Sequence, residues 1–252
     1  MKGMKLSILR SAARYLFVLC LPILLIAGTV RLAVNEVRLY EYGFDKYDVS
    51  QETGLDDDQL RGVAKELIDY FNSGDGPLQV RVEVGGEELE LFTEREVTHL
   101  KDVRGLIQLD YRFQEATLAY ILGFAVVVLL WSRGRFWRGL ARLVVWGSAL
   151  TIALMIVLGL GAVIGFGQLF HDFHVLSFSN DLWKLGSGDY LLMMFPESFF
   201  RDATLFIAGA IVGEALLLGG IARGLLAVTR KRARMRARPT GGAGEETVSR
   251  GS

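Results

Sequence analysis

Apolar residues along this chain gather into four runs, 12–34, 117–132, 143–166 and 203–228, with polar segments between them. Each is near or above the roughly 17–25 residues that a helix needs to cross a bilayer. The second run is the shortest, and the apolar residues of 106–115 extend it into one long helix that rises out of the lipid. The first follows a basic start (Lys2, Lys5, Arg10, Arg14), as a cleaved secretion signal would. Its core is too long for that, Gly28-Thr29 is a poor cleavage site and Arg31 follows directly, so the pattern predicts an uncleaved signal anchor. Cys20 is preceded by Leu19, where a lipidation signal needs a small residue, and a lone thiol in lipid is ordinarily inert packing.

Between the first two runs the periodicity changes twice. Over 55–71, Leu60, Val63, Ala64, Leu67, Ile68 and Phe71 recur at helical spacing. Asp56, Asp57 and Asp58 crowd the end where the helix dipole favours acids, and Asn72-Ser73-Gly74 stops the helix. Over 78–92, Val80, Val82 and Val84 alternate with polar residues, Gly85-Gly86 supplies a tight turn, and Leu89 and Leu91 alternate on the return. That predicts a β-hairpin, which should pack on the helix or on the membrane surface, since a lone hairpin is marginal. Thr93 followed by Glu96 is a capping box, so a new helix starts there. His99, Val103, Leu106 and Asp110 fall on roughly one side of it, and it can run on into the second apolar run. His99 is thereby held on a rigid element just above the membrane.

The connection 167–202 alternates aromatics with histidine, acids and amides. One account is an aromatic belt, Trp183 and the phenylalanines anchoring a re-entrant or surface segment. It suits the aromatics better than His174, Asn180, Asp181 and Asp189, which are costly to bury unpaired beside apolar groups.

Charge then sets the orientation. The formal net charge is zero, 28 basic against 28 acidic residues, but the distribution is uneven. The N-terminus, the connection 133–142 and the C-terminal flank from Arg230 are basic, whereas 35–114 carries 19 acids against 9 Lys and Arg, and 167–202 is acidic too. Basic loops stay in the cytoplasm, which puts both termini inside and the two acidic segments outside. The basic clusters read as topology and contact with anionic lipid, not as nucleic-acid binding. The tail after Pro239 is expected to be disordered. The expected architecture is an α-helical polytopic membrane protein with four transmembrane helices, a small α+β extracytoplasmic cap and a re-entrant or interfacial outer loop. Its parts are the N-terminus and first span (1–34), cap (35–114), second span (115–132), cytoplasmic loop (133–142), third span (143–166), outer loop (167–202), fourth span (203–228) and basic tail (229–252).

The chain has three histidines, His99, His171 and His174, and this topology places all of them on one face. Histidine titrates near neutral pH and is the commonest general acid and base, so one on the juxtamembrane helix and one on the loop could converge on a substrate bond. No Gly-x-Ser-x-Gly elbow, Walker loop, dinucleotide fingerprint or paired-cysteine site competes with them. Other readings stay open: a solvated surface residue for His171, structural hydrogen bonding for His99 and His174, and zinc on His171, Asp172, His174 and His99, although that spacing is a weak signal. Glu214 and Arg31 stand out as ionisable groups in apolar runs, and Arg31 can simply snorkel to lipid phosphate.

Two segments, Phe92-Thr93-x-Arg95-Glu96-x-x-His99-Leu100-x-Asp102-Val103 and Phe173-His174-x-x-x-Phe178-x-Asn180-Asp181-x-Trp183, resemble the bacterial lipoprotein intramolecular transacylase family. Asp189 and Phe195-Pro196-x-x-Phe199-Phe200 follow in the same register, and the four-pass layout agrees. The resemblance implies a cytoplasmic-membrane enzyme, without cofactor or metal, that moves an acyl chain of a diacylglyceryl lipoprotein from the sn-2 glyceryl oxygen to the α-amine of the N-terminal cysteine. It maps the motif histidines onto His99 and His174 and leaves His171 outside the motif. On that basis His174 is expected as general base and His99 as acid or orienting partner, Asn180 as oxyanion donor, and Asp181 or Asp189 as the group that fixes a tautomer. Asp102 and Trp183 support the site, and Arg31, Arg201 and Phe178 are expected to contact the substrate headgroup or lipid. Ser177 and Ser179 remain as alternative nucleophiles. The rival functions are another lipid-modifying acyltransferase or hydrolase on this scaffold, and a non-enzymatic membrane partner.

Overall fold

The computed structural model describes residues 2–74, 76 and 78–236; the tail after Pro239, expected to be disordered, lies outside them. Four helices are long and apolar enough to cross a membrane: α1 (Lys2–Val34), α5 (Glu94–Trp131), α6 (Trp137–Ser177) and α8 (Glu197–Arg236). α1 packs against the other three, α6 and α8 pack along each other, and α5 and α6 meet only sparsely. Between helices in lipid, close van der Waals fit replaces the hydrophobic drive. Gly147 of α6 provides it, because a Cβ there would come within 2.7 Å of the Leu21 side chain on α1.

Two of these helices outrun their apolar stretches. α5 has 38 residues, about 57 Å at helical rise, against a hydrocarbon core of about 30 Å. Its charge-free part starts only after Glu115, so the spanning part lies beyond Glu115 and His99 stands about 25 Å before it. α6 leaves its last basic residue at Arg142 and has non-helical angles at Gly165 (φ −161°, ψ 65°) before continuing to Ser177. By length the spanning part ends near Gly165, and the turns beyond it form a juxtamembrane extension. His171 and His174 therefore sit on a helix, where a loop from residue 167 was expected. Only 178–189 is irregular, before the short α7 (Tyr190–Met194).

The cap contains two helices that the apolar pattern left unassigned, α2 (Val37–Lys46) and α3 (Val49–Thr53). α4 (Asp57–Asn72) starts at a capping box, with the Asp56 carboxylate accepting from Gln59 N–H and the Gln59 side chain accepting from Asp56 N–H. β1 (Arg81–Val84) and β2 (Glu87–Glu90) pair antiparallel with Val82 opposite Leu89. The turn between them has φ +64° at Gly85 and +88° at Gly86, a left-handed pair that other residues adopt only with strain.

One core joins these pieces. Leu60, Val63 and Leu67 of α4, Val80 and Val82 of the hairpin, and Leu100 of α5 pack with Leu191 and Met194 of α7 and with Phe195 and Phe199. The outer connection is thus folded into the cap. Tyr47 donates its hydroxyl to Asp202 at 2.7 Å, Lys46 pairs with the same carboxylate, and Gly43 leaves room for the Phe199 ring, so α2 is seated on the start of α8.

Glu96 ties the assembly together. Its carboxylate is 0% exposed. Oε2 accepts from the Thr93 amide at 2.7 Å and the Thr93 hydroxyl at 2.8 Å, and Oε1 accepts from the Leu191 amide at 2.7 Å. Removing it strands two amide donors in the core, so Glu96→Ala should lose about 3 kcal/mol or more of stability. Glu96→Gln, which keeps one acceptor, should lose less. Thermal unfolding of the two variants in detergent, compared with the parent, measures both, and equal Tm values for Ala and parent would contradict the role.

Candidate active site

α5 presents His99 from its second turn and α6 presents His174 from its last, and the two rings face each other with centroids 6.1 Å apart and planes 29° from parallel. They are 7% and 8% exposed. Aromatic rings enclose them. Phe178 lies 5.1 Å from His99 and 5.6 Å from His174, Trp183 lies 4.9 Å from His174, and Phe170 lies 4.3 Å from it. His171, one turn earlier on α6, is exposed and meets the Trp183 edge at 5.5 Å.

The two imidazoles differ in their hydrogen bonds. His174 Nδ1 is 2.7 Å from the carbonyl oxygen of Phe170, four residues back on the same helix. A carbonyl only accepts, so Nδ1 carries the proton and the lone pair of Nε2 is left for chemistry. That backbone carbonyl does what Asp181 or Asp189 was expected to do. His99 Nδ1 is buried and has no partner among the described residues. Both rings lie outside the spanning parts of their helices. Burial, the nearby His174 and, in opposition, Asp102 bring the pKa of His99 down to about 4. His174 is lowered as well, by burial first, with the Phe170 hydrogen bond working against it. Both are neutral at pH 7.

Segment 178–189 is fastened over this pair from α5. Arg95 donates to the carbonyls of Asp181 at 3.0 Å and Leu182 at 3.4 Å. Asn180 Nδ2 donates to Asp102 Oδ2 at 2.8 Å, while Asn180 Oδ1 accepts from the Leu182 amide at 3.0 Å. Asn180 was expected to donate to an oxyanion, but its side chain is committed to Asp102 and the backbone. Asp181 pairs with Lys184 at 2.7 Å, and Asp189 accepts from the Gly186 amide at 2.6 Å. Neither touches an imidazole, and neither Ser177 nor Ser179 bonds to one. Phe170 and Arg95 were not singled out as site residues in the sequence. The place of Phe170 one helical turn before His174 was the available signal for its carbonyl.

The remaining candidates lie elsewhere. Arg31 donates to Gln114 at 2.8 Å, pairs with Glu115 at 3.1 Å and stacks on Tyr111, joining α1 to α5. Arg201 reaches Asp202 at 3.4 Å. Glu214 of α8 accepts from Thr29 of α1 at 3.2 Å beside a cleft of about 440 Å³ that Leu24, Leu25 and Leu32 also line. His171, Asp172, His174 and His99 do not converge as a ligand set, and no group of three or more His, Cys, Asp or Glu among the described residues could hold a metal ion.

Comparison with known proteins agrees with this layout. The solved structure of the membrane-integral lipoprotein intramolecular transacylase Lit of Bacillus cereus is 23% identical and superposes with a TM-score of 0.75, covering 90% of this chain and 99% of that one. A histidine-to-alanine variant of the same protein, 21% identical, gives a TM-score of 0.70 over 92% of this chain and 100% of that one. These likenesses establish the fold. An uncharacterised protein of Aquifex aeolicus is 22% identical over 216 residues, 84% of this chain and 95% of its own length. The model of the family described as "lipoprotein intramolecular transacylase Lit" matches residues 15–200, well over half of the chain, including both histidines and the segment that covers them. The chain therefore belongs to the lipoprotein intramolecular transacylase family, as a multi-pass membrane acyltransferase that acts on lipoproteins.

Proposed function

We propose that this enzyme moves the sn-2 acyl chain of a diacylglyceryl lipoprotein to the α-amine of the N-terminal cysteine, giving the lyso-form, with His174 as general base and His99 as the oxyanion donor. The observation that carries it is the pairing of two buried neutral imidazoles, one of which has its free nitrogen specified by a main-chain carbonyl. The neutral amine attacks the ester carbon. His174 Nε2 takes a proton from the nitrogen and delivers it to the departing glyceryl oxygen as the C–O bond breaks and the C–N bond persists. The product has the mass of the substrate. His99, too weakly basic to be an imidazolium at pH 7, donates as a neutral N–H to the oxygen that becomes negative in the tetrahedral intermediate.

Both reactants arrive on one molecule, so proximity lowers the barrier without a covalent acyl-enzyme. That accords with histidines that have no serine or cysteine hydrogen-bonded to them among the described residues. α5 and α6 meet only sparsely, and in this reading the acyl chains stay in the bilayer and reach the imidazoles between helices. In the orientation that the basic loops favour, the site lies on the outer face and both termini are cytoplasmic.

His174→Asn should lower the transfer rate by about 10²–10⁴-fold. Mass spectrometry of a reporter lipoprotein's N-terminal peptide, from a diacylating host that expresses either form, reads this directly: an acyl chain on the cysteine nitrogen with the parent, none with the variant. Equal modification by both, at equal expression, would remove His174 from the chemistry. The pH dependence adds a second test. The substrate amine must be neutral, so kcat/KM falls with slope one below its pKa of about 7.7–8.0. Burial keeps both imidazoles neutral through pH 6.5, so the slope should steepen to two only below pH 6.5. Steepening above 6.5 would contradict a pair held neutral by burial.

A further inference from the structure

Beside His99 lies a carboxylate with which no described residue forms an ion pair. Asp102 follows His99 by three residues on α5, about 4.5 Å along the axis and on nearly the same face. Its Oδ2 accepts from Asn180. Among the described residues its Oδ1 has no hydrogen-bond partner and the carboxylate has no ion pair. Lys101, the preceding residue on α5, is exposed and forms no ion pair with it, and three further basic side chains nearby are engaged elsewhere. Arg95 holds the carbonyls of Asp181 and Leu182, Arg104 lies over Tyr70 at 4.4 Å and reaches Gly76, and Lys184 is paired with Asp181. The two imidazoles bring no positive charge. A half-buried carboxylate in this company is poorly compensated until a cation arrives.

We propose that Asp102, oriented by Asn180, is the docking point for the protonated α-amine of the acyl acceptor. The ligand class is a primary alkylammonium at a peptide N-terminus that carries a lipid on its first residue. This rests on the transacylase reading above and adds the recognition of the acceptor to it. At pH 7 the larger share of such an amine is charged, and Oδ1 captures that form on the His99 side of the imidazole pair. Loss of one proton to water through His174 Nε2 then leaves the neutral amine, which reacts as described, so the atoms and charges of the transfer itself are unchanged. An acceptor already acylated on nitrogen has no charge to offer. Asp102 thereby also favours release of the product, whose amide nitrogen is neutral.

The test is binding in detergent to the His174→Asn enzyme, slowed enough that binding is read before turnover, of a diacylglyceryl-cysteinyl peptide and of the same peptide acetylated on nitrogen. The free amine should bind about tenfold more tightly. Adding Asp102→Asn keeps an oxygen for Asn180 and should erase that preference without changing the affinity of the acetylated peptide. Asn180→Ala should weaken binding of both peptides while the preference survives. A preference that persists in Asp102→Asn, or its absence from the enzyme with Asp102 intact, overturns the proposal. If Asp102→Asn lowers the affinity for the acetylated peptide as well, the decision passes to pH: with Asp102 intact the preference must fade between pH 7 and 9.5, and its persistence at 9.5 is equally fatal. Failure of the transacylase reading looks different, as a wild-type enzyme that prefers the free amine yet leaves its acyl chains in place.

Discussion

The rest of the site depends on the buried carboxylate of Glu96. A charge in a core is tolerated only when its lone pairs are taken, and here three donors from two distant parts of the chain take them. Two of the donors start α5 and so set where on that helix His99 falls. The third opens α7, which closes the chain after the irregular segment. With α6 fixed at one end of 178–189 and α7 at the other, that segment has little choice but to lie across the imidazoles. Arg95 and Asn180 then specify its path over them. Helix start, histidine and cover are thus set by neighbouring residues of one helix.

Much of the architecture was legible because lipid enforces simple rules. Four apolar runs of sufficient length mean four spans when backbone groups must be satisfied within the segment, and the capping box at Thr93 and Glu96 marked the start of α5 to the residue. The glycine pair of the hairpin was equally plain, since its turn demands left-handed angles. Legibility failed where order comes from tertiary contact. α2 and α3 are short, and Tyr40, Phe44 and Val49 are buried only because α4 and α7 cover them. The extension of α6 past Gly165 is likewise invisible in hydropathy, since His171, Asp172 and His174 look like loop residues, yet helical spacing puts Phe166, Phe170 and His174 in one row of touching rings.

The structure brings together two of the histidines that the sequence singled out, but what distinguishes them could not be read there. Two residues of the same type acquire different properties from what lies beside each nitrogen. For His174 this is a carbonyl, which no side-chain motif encodes; for His99 it is burial among aromatic rings, with no partner for Nδ1 among the described residues. The carboxylates and amide that looked catalytic by composition mostly serve to fasten the cover. Asn180 is tied by its side chain to Asp102 and the Leu182 amide, and Asp181 to Lys184, constraints on position that resemble constraints on chemistry when only the sequence is in view.

The hydrogen bond from His174 to the carbonyl of Phe170 has an evolutionary corollary. In many enzymes the group that orients a catalytic histidine is itself a side chain, so one codon change can abolish it. Here the acceptor belongs to the main chain of a helix and is present whatever residue occupies position 170. Drift at that site can alter the packing around His174 while the acceptor that selects its tautomer stays in place. A lineage could therefore vary the aromatic lining and keep the hydrogen bond that orients the imidazole.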